Sequence, residues 1–319
     1  MDTFLSCDWG TSTFRLRLVG ASDLVMQAAI QHQQGIARVA ADWEQTGAAI
    51  SRQVYYTTFL NAQVHVLEQQ LGYSLAGVPL VLSGMASSSI GLMELPYKTL
   101  PFFTNGADLV LRAISNDRNP ILLVSGACTS SDVMRGEETK IVGVADVLPV
   151  AEQELLLLLP GTHPKHVQVR GRRVTGFQTF MTGEVFSLLA EQSILAGSVI
   201  RNSDLGSAAS REYFIRGVHL SRQHSFLHHV FGVRTNQLLK EIQPEQNYHY
   251  LSGLLIGEEL KTLPPNQRVY LLGSTTHVQA YVLACEALGI RVSVLPDADQ
   301  ALVRGQQQLL QNYRASGAE

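Results

Sequence analysis

The chain has 319 residues, 45% apolar and 16% charged, and a net charge of −3 at pH 7. That length exceeds one hydrophobic core and predicts two domains of ordinary soluble composition, while the slight acidity argues against nucleic acid as the main partner. Apolar runs such as Leu155 to Leu159 are far too short to span a bilayer, and no basic or apolar leader is expected after Met1.

In chain order, residues 4–9, 14–20 and 24–31 read as a three-stranded meander. Between its first two strands lies Asp8-Trp9-Gly10-Thr11-Ser12-Thr13, a turn of small residues whose N–H groups and hydroxyls suit an anion. Asp8, just before that turn, is a hard oxygen ligand suited to hydrated Mg²⁺. Helical spacing runs from about Trp43 to Gln70, and Gly72 ends it. Val78 to Leu82 is a buried strand leading into Ser83-Gly84-Met85, and residues 90–105 read as loop or short edge strand. A short helix is predicted for Ala107 to Ile114, and a strand for Pro120 to Val124. A longer helix is predicted from Asp132 to Asp146, which would set Asp132, Arg135 and Glu138 on one face with Glu137 about a quarter turn away.

The second half opens as the first did. Leu159-Pro160-Gly161-Thr162-His163 repeats the turn 151 residues after Gly10, again between two apolar runs, with Leu159 in place of Asp8. The hairpin Arg170-Gly171-Arg172-Arg173 joins two further strands, and Thr182-Gly183-Glu184 opens a helix reaching about Gln192. Residues 193–247 are mostly helical, and Leu251 to Leu260 is apolar and small at one-turn spacing. A strand, Val269 to Leu272, enters the turn Gly273-Ser274, followed by a helix to Leu288, a strand from Arg291 and a closing helix from Asp297. Strands alternating with helices after each meander make both halves α/β. His224, His228, His229 and His277 show no metal-ligand spacing. Cys7, Cys128 and Cys285 are too dispersed for a disulfide framework or a CxxC site, which favours a reducing cytoplasm.

Five motifs taken together are more specific. In order they are Asp8-Trp9-Gly10-Thr11-Ser12, Asp132-Val133-Met134-Arg135-Gly136-Glu137-Glu138-Thr139, Leu159-Pro160-Gly161-Thr162-His163, Thr179-Phe180-Met181-Thr182-Gly183-Glu184 and Leu251-Ser252-Gly253-Leu254-Leu255-Ile256-Gly257. They resemble the 2-dehydro-3-deoxygalactonokinase family of sugar-acid kinases. The resemblance implies two ribonuclease-H-like domains of the actin and hexokinase type flanking a central cleft. Residues 1–147 would bind sugar and phosphate, with helix 298–319 returning to them, and residues 148–297 would bind nucleotide.

It also implies ATP and Mg²⁺ as cofactors, a small sugar acid as substrate, and domains that hinge shut on both ligands. A homodimer is compatible with it. Asp8 would serve the metal through water. Gly10, Thr11, Ser12, Gly161, Thr162 and His163 would approach the phosphates, with Gly273 and Ser274 beside adenosine. The segment after Gly84 would meet the sugar acid through Gly84, Met85, Ser89, Glu94 and Tyr97, joined by Arg135. For the catalytic base the pattern favours Glu137, with Asp132 the rival. The family usually carries a larger polar residue and a tryptophan where this chain has Ser89 and Leu92. The expected reaction is phosphorylation of the 6-hydroxyl of 2-dehydro-3-deoxy-D-galactonate. A kinase for another sugar or aldonic acid, or a non-catalytic sugar-binding or regulatory protein, are the alternatives.

Overall fold

A computed structural model describes residues 2–47, 49–202, 205–223, 225–239 and 242–317, so His224 lies outside the described residues. The chain divides into two compact units: Met1–Val150 with Gly171–Gly176 and Ala298–Glu319, and Ala151–Arg170 with Phe177–Asp297.

In the first unit, β1 (Thr3–Trp9), β2 (Phe14–Gly20) and β3 (Met26–His32) form the antiparallel meander. Then come α1 (Ile36–Gln45), α2 (Arg52–Leu71), β4 (Leu80–Gly84), β5 (Lys98–Thr99), β6 (Phe102–Phe103), β7 (Leu111–Ile114), β8 (Ile121–Val124), β9 (Ala127–Cys128), β10 (Val133–Met134) and α3 (Glu137–Gly143). The main sheet runs β3-β2-β1-β4-β8-β7, with β4 parallel to β1 and β8 parallel to β4. Alternation along β1 decides what each face carries. Leu5, Cys7 and Trp9 enter the core with Phe14, Leu16 and Leu18, leaving Ser6 and Asp8 on the opposite face. The buried stripe Tyr56, Leu60, Val64 and Leu67 of α2 covers that core. Ser51 caps this helix by accepting from the Val54 amide at 3.4 Å, and Gly72 ends it with φ +77°.

Three predicted helices differ. Residues 107–114 hold no helix. Gly106 starts a turn, and β7 pairs antiparallel with β8, so sheet pairing overrides a segment too short to nucleate a helix. The helix expected from Asp132 begins only at Glu137 and ends at Gly143. Val133 and Met134 pair with Cys128 and Ala127 as a ribbon, and Gly136 takes φ +104°, a conformation outside any helix. Asp132, Arg135 and Glu138 therefore do not share a helical face. The helix expected from about Trp43 to Gln70 is instead two, α1 ending at Gln45 and α2 beginning at Arg52.

The second unit contains β11 (Leu155–Leu159), β12 (Lys165–Arg170), the end of β13 (Arg173–Thr179, of which Arg173–Gly176 count with the first unit), α4 (Thr182–Gln192), α5 (Ala208–Leu220), α6 (Phe226–Leu238), α7 (Pro244–Leu260), β14 (Arg268–Leu271), α8 (Thr275–Leu288) and β15 (Arg291–Val294). Its strands run β15-β14-β11-β12-β13, with β14 parallel to β11 and β15 parallel to β14. This is the order and direction of β8-β4-β1-β2-β3, so the topology occurs twice. Gly253 and Gly257 of α7 lie directly against the backbone of α5 at Phe214 and Val218, which is why small residues recur there at one-turn spacing.

The last helix, α9 (Ala298–Ala315), belongs to the first unit. Its Gly305 meets the Thr139 carbonyl and its Ala301 carbonyl meets Gly143, so α3 and α9 pack backbone to backbone.

Candidate active site

The turn after β1 is held from both sides. Gly10 N donates to Thr13 O at 2.9 Å, and the first amides of α1 reach back to it, Ile36 N to Gly10 O at 2.9 Å and Ala37 N to Thr11 O at 3.2 Å. Thr11 and Ser12 are left exposed at its tip. The Asp8 side chain is 16% exposed, and its Oδ2 accepts from Arg15 Nη1 at 3.3 Å. Arg15 sits opposite Asp8 in the β1–β2 register. Asp299, in the first turn of α9, faces Arg15 at 3.8 Å and Arg17 at 3.1 Å, so the two carboxylates and two guanidinium groups alternate.

Three backbone segments converge beside Asp8. Gly84 has φ +86°, and a Cβ there would stand 2.8 Å from Trp9 O and 3.4 Å from Asp8 Oδ1. A Cβ on Gly136 would stand 3.3 Å from Gly84 Cα. Only glycine allows both approaches, and together they bring the start of α3 up to the end of β1. Glu137, the next residue, is partly exposed and its Oε2 accepts from Arg135 N at 3.0 Å. Glu138 points inward with no solvent exposure, and burial, followed by the charge of Glu137, pushes its carboxyl up to about 7.

The Arg135 side chain is held by Ser87 and Tyr97. Its Nη1 donates to Ser87 O at 2.5 Å and Ser87 Oγ at 2.6 Å, and its guanidinium lies 4.2 Å from the centre of the Tyr97 ring. One edge of the fork is thus fixed by the turn after β4 and one face by an aromatic ring. Met85 packs against the core, Ser89 gives its carbonyl to Arg52, and Glu94 faces solvent. Asp132 Oδ1 accepts from Val133 N at 3.0 Å and does not cap α3, whose N-cap is Gly136.

In the second unit, Gly161 and Thr162 form the turn between β11 and β12. The start of α4 sits on it, since Glu184 N donates to Thr162 O at 3.0 Å and Gly183 leaves no room for a Cβ beside Thr162 Cα. His163 Nε2 pairs with Glu184 Oε2, and Lys165 Nζ donates to His163 O at 3.0 Å. A pocket of about 260 Å³ is lined by Gly161, Phe186, Arg201, Tyr248, Thr276 and His277 among others. A second of about 340 Å³ adjoins it and shares Gly161, Gly183, Arg201, Tyr248 and His277. Ser274, the N-cap of α8, lies 3.1 Å from His277 Nδ1, and Gly273 abuts the Pro160 ring. Beneath this, Glu259 is 3% exposed and accepts from His166, Thr182 and Tyr281, tying β12, α4 and α8 to α7.

Residues 8–309 match the 2-keto-3-deoxy-galactonokinase family. The chain belongs to that family. A probable 2-dehydro-3-deoxygalactonokinase of Rhizobium meliloti is 31% identical over 312 residues, covering 95% of this chain and 94% of the relative. The 2-dehydro-3-deoxygalactonokinase of Escherichia coli is 30% identical over 225 residues, covering 68% and 73%. Among solved structures, a Sinorhizobium meliloti protein assigned as a 2-dehydro-3-deoxygalactonokinase has a TM-score of 0.80 at 30% identity, covering 98% of this chain and 96% of that one. The Clostridium difficile activator of 2-hydroxyisocaproyl-CoA dehydratase, with ADPNP bound, has a TM-score of 0.51 at 10% identity over 99% and 98%, and shares the fold alone. The galactonokinase-family chain is thus an α/β protein of the actin and hexokinase type.

Within each unit the motif residues fall into clusters. Gly84 abuts both Asp8 and Gly136, and Arg135 abuts Tyr97, while Gly161 lines the pocket that Thr276 and His277 also border. Sequence reasoning missed Ser87, Arg15, Phe186, Arg201 and Tyr248. Arg15 alone left a signal, as the residue across the hairpin from Asp8.

Proposed function

We propose that this chain is an ATP-dependent kinase that transfers a phosphoryl group to the 6-hydroxyl of 2-dehydro-3-deoxy-D-galactonate in the cytoplasm. The match to the kinase family over residues 8–309 carries the reading, and the apposition of Asp8, Gly84 and Gly136 supplies a geometry suited to it. In this reading Glu137 accepts the proton of the attacking hydroxyl. The free edge of the Arg135 fork pairs with the substrate carboxylate, a contact in which planar bidentate geometry matters. Thr11 and Ser12 meet phosphate, and the pocket between Tyr248, Arg201 and His277 takes the nucleoside.

Mg²⁺ fits the donor set. Such an ion keeps several waters and needs only one or two carboxylates beside substrate phosphates, and Asp8 turns one oxygen to Arg15 and the other towards the side-chain-free surface of Gly84. When bound, Mg²⁺ would neutralise charge developing on the phosphates.

The test is sugar-dependent ADP release by the purified chain across a panel of 2-keto-3-deoxy acids and aldonic acids, with phosphorus NMR locating the new ester. The highest kcat/KM is expected with 2-dehydro-3-deoxy-D-galactonate and a phosphate on C6. A better acid would replace the substrate, and no release with any acid would leave a binding protein.

A further inference from the structure

Glu138 has no part in the proton transfer proposed for Glu137, yet it is a carboxylate with no solvent exposure. Burying such a group costs stability, and an apolar side chain of similar volume is often better tolerated. Its contacts suggest what it does. Both oxygens accept from Gly136 N, at 2.7 and 3.0 Å, and Oε1 also lies 3.0 Å from Thr139 Oγ1. Thr139 Oγ1 lies 3.2 Å from Ser83 Oγ, and Gln306 Nε2 of α9 donates to Ser83 Oγ at 3.0 Å and to Cys7 O at 2.8 Å. Each hydroxyl has one hydrogen to give. With that of Thr139 committed to Glu138, Ser83 donates to Thr139 and accepts from Gln306. The chain therefore points one way, from the Gln306 amide through two hydroxyls to the carboxylate, and bonds in such a row reinforce one another.

Its contacts lie one residue behind the site. Cys7 precedes Asp8, Ser83 precedes Gly84, and the Gly136 amide belongs to the turn that delivers Glu137. We propose that Glu138 is a positioning residue, which fixes the Gly136–Glu137 turn against the strands bearing Asp8 and Gly84 through Thr139, Ser83 and Gln306. This rests on the kinase reading, with Glu137 as the proton acceptor. The left-handed turn at Gly136 has φ +104°, and its one amide bond is to Glu138. Without that bond the turn carrying Glu137 loses its tie through Thr139 to Ser83 and Gln306, and misplacement by about 1 Å costs on the order of 10²-fold in rate.

The experiment compares Glu138→Gln with Glu138→Leu. A glutamine oxygen still accepts from Gly136 N, whereas leucine fills the volume and accepts nothing. Glu138→Gln should keep kcat within a few-fold of wild type, while Glu138→Leu should lose roughly 10- to 100-fold in kcat with KM for both substrates unchanged. Should the leucine variant fail to fold, Thr139→Val removes the next link and should show the same split. Independently of turnover, NMR hydrogen exchange should find the Gly136 amide protected in wild type and Glu138→Gln and unprotected in Glu138→Leu. A folded Glu138→Leu with wild-type kcat, a loss confined to KM, a glutamine variant as impaired as leucine, or an unprotected Gly136 amide in wild type would each overturn the proposal. A wild type that turns over no sugar acid fails the kinase reading instead, and the exchange data separate that outcome from an error in the hydrogen-bond geometry.

Discussion

Three carboxylates lie within seven residues of one another at 132–138, and their surroundings give them different work. Glu137 is partly exposed and follows the Gly136 that meets Gly84, Glu138 is sealed, and Asp132 accepts from its own neighbour's amide five residues before α3 begins. Glu137→Gln should therefore lower kcat by roughly 10²–10⁴-fold with little change in KM, while Asp132→Asn should stay within a few-fold of wild type. Steady-state kinetics on both variants decide the matter, and the reverse ranking would move the base to Asp132. Glu138 gives a separate pH signature. Its carboxyl titrates near 7 in the folded chain against 4.5 ordinarily, because burial disfavours its charge. The folded state holds that proton more tightly, so the resulting stability is full below about pH 4.5 and is lost as pH rises through 7. Glutamine at 138 does not titrate. Denaturant melts should thus show the stability of Glu138→Gln relative to wild type rising by roughly 2–3 kcal/mol between pH 5 and pH 8. A difference independent of pH would refute that origin. The Asp8 turn was readable in the sequence because a carboxylate followed by Gly, Thr and Ser is a local pattern. Arg201 and Tyr248 were not, since they reach their pocket from a loop and a helix with no shared spacing.

For single elements, legibility depended on whether neighbours or local propensity set the conformation. The strands around both turns kept their predicted places, because alternation fixes which face is buried and a slip of one residue would invert it. The third strands did not match at the repeat offset. β3 follows β2 after five residues, whereas β13 follows β12 after two, a tight turn with Gly171 at φ +54° and Arg172 at φ +62°. The helix expected from Asp132 failed for a different reason. Its helical spacing is real in the sequence, but Val133 and Met134 pair with β9 and Gly136 breaks the run. Periodicity cannot report a glycine held at φ +104° by a buried carboxylate. Gly136→Ala should accordingly cost on the order of 1–3 kcal/mol, since alanine is strained at that φ and its Cβ would press on Gly84 Cα at 3.3 Å. Thermal melts measure the loss, and an unchanged midpoint would mean the turn relaxes freely.

Across the whole chain the repeated turn pointed to a repeated fold, and both units carry the same five-strand order. The return of the chain to the first unit at residue 298 was implied by the family resemblance alone, since no composition change marks it. Beside the Gln306 and Asp299 side chains, close backbone contact secures it, Gly305 against Thr139 and Gly143 against Ala301. Gly305→Leu should wedge α9 from α3 and destabilise the first unit by about 1–3 kcal/mol. Hydrogen exchange read by mass spectrometry should show faster exchange in peptides from 3–20 and 80–143 and little change in 208–288. Equal change in both sets would place the damage elsewhere.

The same return sets an order of events during synthesis. Chains fold as they leave the ribosome, at about 5–20 residues per second, domain by domain. The β-strands bearing Asp8 and Gly84 are among the earliest made, while Gln306, which bonds to the residues preceding both, is among the latest. The second unit lies wholly between them and can close first. A nascent chain stalled at the start of α9 would therefore hold the whole of the second unit while the strands bearing Asp8 and Gly84 still lacked the Gln306 contacts that join them.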